Sequence, residues 1–143
     1  MSGPDPAAVR RVVEEWIQIA RDDLRGMRAC CDLDPPLTTV GAYLCQQAAE
    51  KVLKGFHVQA NIRFRKTHDL GALADVVALY FPAIGPLAAQ TEAWTDWNSV
   101  YRYPNESDVP DDPTVEELVA AAELIERLIE ALLDLVPPDY REA

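Results

Sequence analysis

The amino-acid sequence predicts an all-α bundle of four or five helices, and three observations predict it. Apolar residues recur at three- and four-residue steps in one segment after another, which lines them along one face of a helix. No segment alternates apolar and polar residues as a half-buried strand does. Prolines fall between the periodic segments, where a chain that cannot continue a helix must turn.

The first helix starts near Asp5 and Pro6 and carries Val9, Val12, Val13, Trp16, Ile17, Ala20, Leu24 and Met27 on its apolar face. The run Asp-Leu-Asp-Pro-Pro at 32–36 ends it. Thr38 or Thr39 is placed to cap a second helix with a core stripe of Val40, Tyr43, Leu44, Ala48, Val52 and Phe56. On its polar side Glu50 and Lys54 stand four residues apart, the spacing of a helix ion pair, and the helix is expected to run to about Ala60. Thr67 or Asp69 opens a third, shorter helix with Leu70, Leu73, Val76, Val77 and Tyr80 inward, stopped by Pro82.

A fourth helix is expected from Gly85-Pro86, with Leu87, Thr91, Trp94, Asn98 and Tyr101 on one face, ending before Pro104. The acidic, turn-rich NESDVPDDP segment that follows reads as an exposed loop. Thr114 with Glu117 three residues on forms a capping box, and Leu118, Ala122, Ile125, Ile129, Leu132 and Val136 make the stripe of a fifth helix ended by Pro137-Pro138.

A chain of 143 residues suits one domain, here residues 5–137 with a short tail at 138–143. No apolar run approaches the roughly 20 residues that cross a bilayer, and the charged leader does not read as a signal peptide. No membrane association is expected. Three cysteines without metal-ligand spacing, two of them adjacent, fit reduced thiols in the cytoplasm.

The net charge of −11 excludes a surface coated in nucleic acid, but it is unevenly spread. Residues 1–104 hold 12 acidic and 11 basic side chains, and residues 105–143 hold 12 acidic and 2 basic. Within the near-neutral part, Lys51, Lys54, Arg63, Arg65 and Lys66 occur with no acidic residue between them, beside His57 and His68. Such a run is either a solvated face or a place to meet an anion.

Two histidines eleven positions apart, with no HExxH or paired ExxH, make no recognisable metal site, so neither metal nor cofactor is assigned. Nucleophile elbows and glycine-rich phosphate loops are also missing. What remains is polar residues in three places. Gln46, Gln47, Glu50 and Lys51 share one turn of the second helix. Lys66, Thr67, His68 and Asp69 lie at the start of the third, where free N–H groups favour an anion and a histidine can titrate near neutral pH. His68 either serves chemistry there or hydrogen-bonds a neighbouring helix. Arg102, between Tyr101 and Tyr103, offers a bidentate fork for phosphate or merely suits a helix C-terminus.

The strings CQQAAEKVLKG at 45–55, KTHDLGAL at 66–73 and RYP at 102–104, with ARDDL at 20–24, resemble in order and spacing the HEPN family, named for higher eukaryotes and prokaryotes nucleotide-binding. The resemblance spans about residues 10–136. It implies a compact, mainly antiparallel helical bundle that dimerises. In bacteria it implies a two-component, toxin–antitoxin-like module with a minimal nucleotidyltransferase. Many members are metal-independent ribonucleases whose motif is an arginine followed, four to six residues on, by a histidine.

Arg102 matches that arginine, but no histidine follows it anywhere in the chain. Arginine supplies charge stabilisation without proton transfer, so the resemblance implies a degenerate ribonuclease motif. The expectation is therefore a homodimeric component that binds nucleotide or RNA phosphate. Arg102 would clamp phosphate, Lys51, Lys66, His68 and Gln47 would assist, and Tyr101 or Tyr103 would stack on a base. One alternative is a divergent ribonuclease using Arg102 with His68 or Asp108. The other is a non-catalytic helical interaction partner.

Overall fold

The computed structural model describes residues 3–63, 66–98 and 111–136. Over these residues all regular structure is helical: α1 Pro6–Asp32, α2 Thr38–Gln59, α3 Leu70–Tyr80, α4 Gly85–Ala89 and α5 Val115–Asp134, with a 3-10 helix at Gln90–Asn98 between α4 and α5. The expected fifth helix, capping box included, is present as read from the sequence, and its whole stripe from Leu118 to Val136 is buried. Tyr101, Arg102, Tyr103 and Asp108, and the expected loop as far as Pro110, lie outside the described residues.

α1 begins at Pro6 because Asp5 caps it, the carboxylate accepting from the Ala7 N–H at 3.1 Å. Val13, Ile17, Ala20, Leu24 and Met27 are buried, while Val12 stays exposed. α2 starts at Thr38 without a side-chain cap, so the expected threonine cap does not form. Its end is built more tightly. Asn61 adopts the left-handed region at φ 56°, which asparagine tolerates, and the Ile62 and Asn61 N–H groups close back on the His57 and Val58 carbonyls at 3.0 and 2.9 Å. This double closure satisfies two terminal carbonyls and fixes where the chain leaves for Arg63.

α2 is the central pillar, packed most extensively on α1 and also on α3, α5 and the 3-10 helix. Its burial goes beyond the expected stripe: Ala42, Cys45, Ala48, Ala49, Val52, Leu53 and Phe56 are buried, whereas Val40, Tyr43 and Leu44 are only half-buried. A helix flanked on several sides has no single apolar edge, and periodicity alone misplaces its core. Close approach to α5 uses missing side chains, since a Cβ at Gly41 or Gly55 would meet Leu118 or Leu132 at 2.8 Å.

α3 is capped by Asp69, which accepts from the Ala72 N–H at 3.2 Å. It buries Leu70, Leu73, Ala74 and Val77, but Tyr80 is exposed, contrary to the expected stripe. The expected fourth α-helix stays α-helical only through Ala89 and tightens to 3-10 geometry from Gln90. A 3-10 turn eclipses residues three apart. Trp94 and Trp97 accordingly stack, with ring centroids 5.9 Å apart and planes 15° from parallel.

Candidate functional site

The polar residues of α2 and the α3 leader meet in one connected network. Gln46, Glu50 and Lys54 are buried on α2, with Gln47 and Lys51 half-buried beside them. The Lys51 ammonium donates to Gln47 Oε1 at 3.0 Å, and Gln47 Nε2 donates to Gln46 Oε1 at 2.6 Å. Gln46 Nε2 in turn donates to Glu50 Oε1 at 3.5 Å and to the His68 carbonyl at 3.4 Å, tying the α3 leader to α2.

Glu50 is the hub. One carboxylate oxygen accepts from Lys54 Nζ at 3.0 Å and the other from His68 Nδ1 at 2.7 Å. The Glu50–Lys54 spacing predicts the pair correctly, but its place is corrected: Glu50 is 3% and Lys54 11% exposed, so the pair is interior and not on a polar side. Burial raises the Glu50 carboxyl pKa, but the hydrogen bonds and charges of His68 and Lys54 outweigh it and hold the carboxyl below its ordinary value.

His68 is anchored inward and open outward, its side chain 67% exposed. A carboxylate only accepts, so Nδ1 carries the proton in this contact and Nε2 is the ring nitrogen not engaged by Glu50. The neighbouring-helix reading of His68 therefore holds, and the same contact sets the tautomer a proton-transfer role would need.

Asp23 of α1, in the ARDDL element, is a member that motif reading did not single out. It is half-buried, and its Oδ2 has no hydrogen-bond partner among the described residues. Burial pushes its carboxyl up, Lys51 opposes this, and Asp22 and Glu50 push it further up. Lys51 and Glu50 of α2 thus act on this carboxylate of α1, the helix on which α2 packs most extensively. The ARDDL element contains Asp23 but gives it no role, and its orphaned buried oxygen is the signal that only the folded chain supplies.

Among the described residues the basic run at 51–66 does not form one surface, and Arg65 lies outside them. Lys54 and His57 turn inward, Lys51 sits at the rim, and Arg63 and Lys66 are exposed. His57 donates from Nδ1 to the Leu53 carbonyl at 2.8 Å, and burial lowers its pKa. Among the described residues no three His, Cys, Asp or Glu side chains group as metal ligands. No described helix is long and apolar enough to cross a membrane.

The helical bundle is the architecture that the ordered motifs lead one to expect, and the buried Gln–Glu–Lys network joined to His68 is what the structure adds to it. The HEPN domain family model matches residues 13–133, and the chain belongs to the HEPN family. A nucleotide- or RNA-related role in general follows from that membership. Comparison with curated proteins and with solved structures returned no match.

Proposed function

We propose that this HEPN protein is a homodimeric component of a toxin–antitoxin-like module with a minimal nucleotidyltransferase, and that it binds the phosphate of a nucleotide or of RNA. The observation that carries the reading is the network at the α2–α3 crossing, in which Glu50 fixes His68 while Gln47 fixes Lys51. Held side chains lose less rotational freedom on binding than free ones, so a preset amine and imidazole favour phosphate capture. Lys66 adds charge from the adjoining exposed position. In this reading Arg102 is the phosphate clamp, and Tyr101 or Tyr103 stacks on a base.

Titration of the purified protein with ATP and with a short single-stranded RNA tests the proposal. Binding is expected to weaken with salt, each phosphate contact contributing about −0.7 to the slope of log K against log salt. Arg102→Ala and Lys66→Ala are expected each to weaken it further. Absence of binding to either ligand at millimolar concentration sinks the reading.

The 2.7 Å Glu50–His68 contact favours a second reading, a divergent metal-independent ribonuclease. His68 would take the proton of a 2′-hydroxyl as it attacks the adjacent phosphorus. The 5′-oxygen would leave with a proton from water, and Arg102 would offset the developing charge. Labelled RNA that survives prolonged incubation with the protein, at every pH tried, removes this second reading.

A further inference from the structure

A cavity of about 310 Å³ opens beside the α2–α3 connection, separate from the Glu50 hub. Its floor is apolar, from Leu73 and Val76 of α3, and its polar lining is His57, Arg63, Thr67 and Asp75. Arg63 and Asp75 carry opposite charges into one small cavity, and among the described residues neither has an ion-pair or hydrogen-bond partner. Thr67 accepts from the Asp69 N–H at 3.0 Å, which leaves its hydroxyl proton to donate. His57 has committed Nδ1–H to Leu53, and burial favours its neutral form, so Arg63 is the cation of the lining.

An apolar floor with a cation and an anion not paired to each other matches a flat heteroaromatic ligand with an acceptor edge and a donor edge. Guanine has this pattern. Its O6 and N7 accept from a guanidinium, and its N1–H and exocyclic amino group give two donors to a carboxylate. Adenine does not, because it presents an amino group where guanine presents O6 and has no ring N–H on that edge. Arg63 and Asp75 are exposed, so water can meet them when the wrong base is bound and the preference is modest, on the order of tenfold.

We propose that this cavity binds a guanine base, Arg63 reading its acceptor edge and Asp75 its donor edge, with Thr67 beside them. The inference deepens the nucleotide-binding reading above by naming the base, and it rests on that reading for the phosphate. Thr67 lies between Lys66 and His68, at about 3.8 Å per residue along the chain, so the cavity adjoins two residues of the phosphate reading.

Calorimetric titration of the full chain with GMP, AMP and guanosine, alongside Asp75→Asn and Arg63→Gln, tests it. Both side chains are exposed, so both variants are expected to keep the helical signal and melting midpoint of the parent. GMP is expected to bind about tenfold more tightly than AMP, and Asp75→Asn to remove most of that difference. Guanosine, with no phosphate, should bind and retain the dependence on Asp75. Equal affinity for GMP and AMP, indifference to Asp75→Asn, or displacement of guanosine by free leucine, a zwitterion that could satisfy the same charges, overturns the inference. If RNA and ATP bind without base preference, the guanine cavity falls and phosphate binding stands. If guanosine binds through Asp75 while Arg102→Ala and Lys66→Ala leave RNA affinity unchanged, the phosphate assignment falls and the cavity stands.

Discussion

Replacing Glu50 by glutamine keeps the shape of the side chain and removes its charge, so it isolates the ionic part of the network. Lys54, 11% exposed and 3.0 Å from the carboxylate, then keeps a nearly buried ammonium with no anion at that position. Breaking a buried pair in this way costs about 3–5 kcal/mol. Lys54 lies close to the surface and makes further interactions, so the lower figure of about 3 kcal/mol applies. In a chain of this size each kcal/mol moves the melting midpoint by about 2–4 °C, so Glu50→Gln should melt roughly 6–12 °C below the parent. Thermal unfolding followed by circular dichroism at pH 7 measures it, with Lys54→Met and the double variant completing a cycle. The double variant should recover at least half of the loss, because an apolar pair restores a compensated interior. A Glu50→Gln loss below about 1 kcal/mol, or a double variant whose losses simply add, would refute the assignment of Glu50 as hub of a buried ionic network.

Two further outcomes follow from the titrating groups. The folded-state pKa values of Glu50 and His57 both lie below their unfolded values, so each contributes stability that is full above the unfolded value and lost as pH falls through the folded one. Unfolding free energies from denaturant titration should thus fall as pH drops below about 6.5, by at most about 1.4 kcal/mol per pH unit for one proton, and again below the ordinary glutamate range. A His57→Gln variant should flatten the first decline only, and an unchanged slope there would show that His57 is not its source. Asp23 has the opposite sign: its raised pKa means that its ionised form opposes folding near neutral pH, and the penalty vanishes below its ordinary value of 3.8. Asp23→Asn should therefore raise the melting midpoint at pH 7 and change it little at pH 3, a difference that equal shifts at both values would contradict.

The sequence announces α5 almost completely, because one face of it is buried and its cap is local. Thr114 and Glu117 lie three residues apart, and the expected stripe from Leu118 to Val136 is buried throughout, joined by Ala121, Leu124 and Leu128 beside it. α2 is harder to read for the opposite reason. Neighbours on several sides bury Cys45, Ala49 and Leu53 along with Glu50 and Gln46, so hydropathy puts the ion pair outside when packing puts it inside. Within the site, contacts three or four residues apart, such as Lys51 with Gln47 and Lys54 with Glu50, are legible from spacing. The 18-residue jump from Glu50 to His68 and the orphaned oxygen of Asp23 are not, because both arise from how helices cross. Arg63 and Asp75, likewise, become one cavity wall only once Asn61 turns the chain.

The hub and the rim of the network are consecutive residues, Glu50 interior and Lys51 at the edge. Each residue advances an α-helix by about 100°, so one amino acid inserted between Gly41 and Gln46 would swing the whole set around the axis relative to Gly41. A different side chain would then occupy the Glu50 position opposite His68, and Gly41 would no longer stay in phase with Gly55 where α2 approaches α5. The turn at 33–37 touches none of these contacts. Length variation among descendants of this chain should therefore accumulate in that turn and be purged from α2, with the spacing from Gly41 to Gly55 held fixed even where the residues between them change.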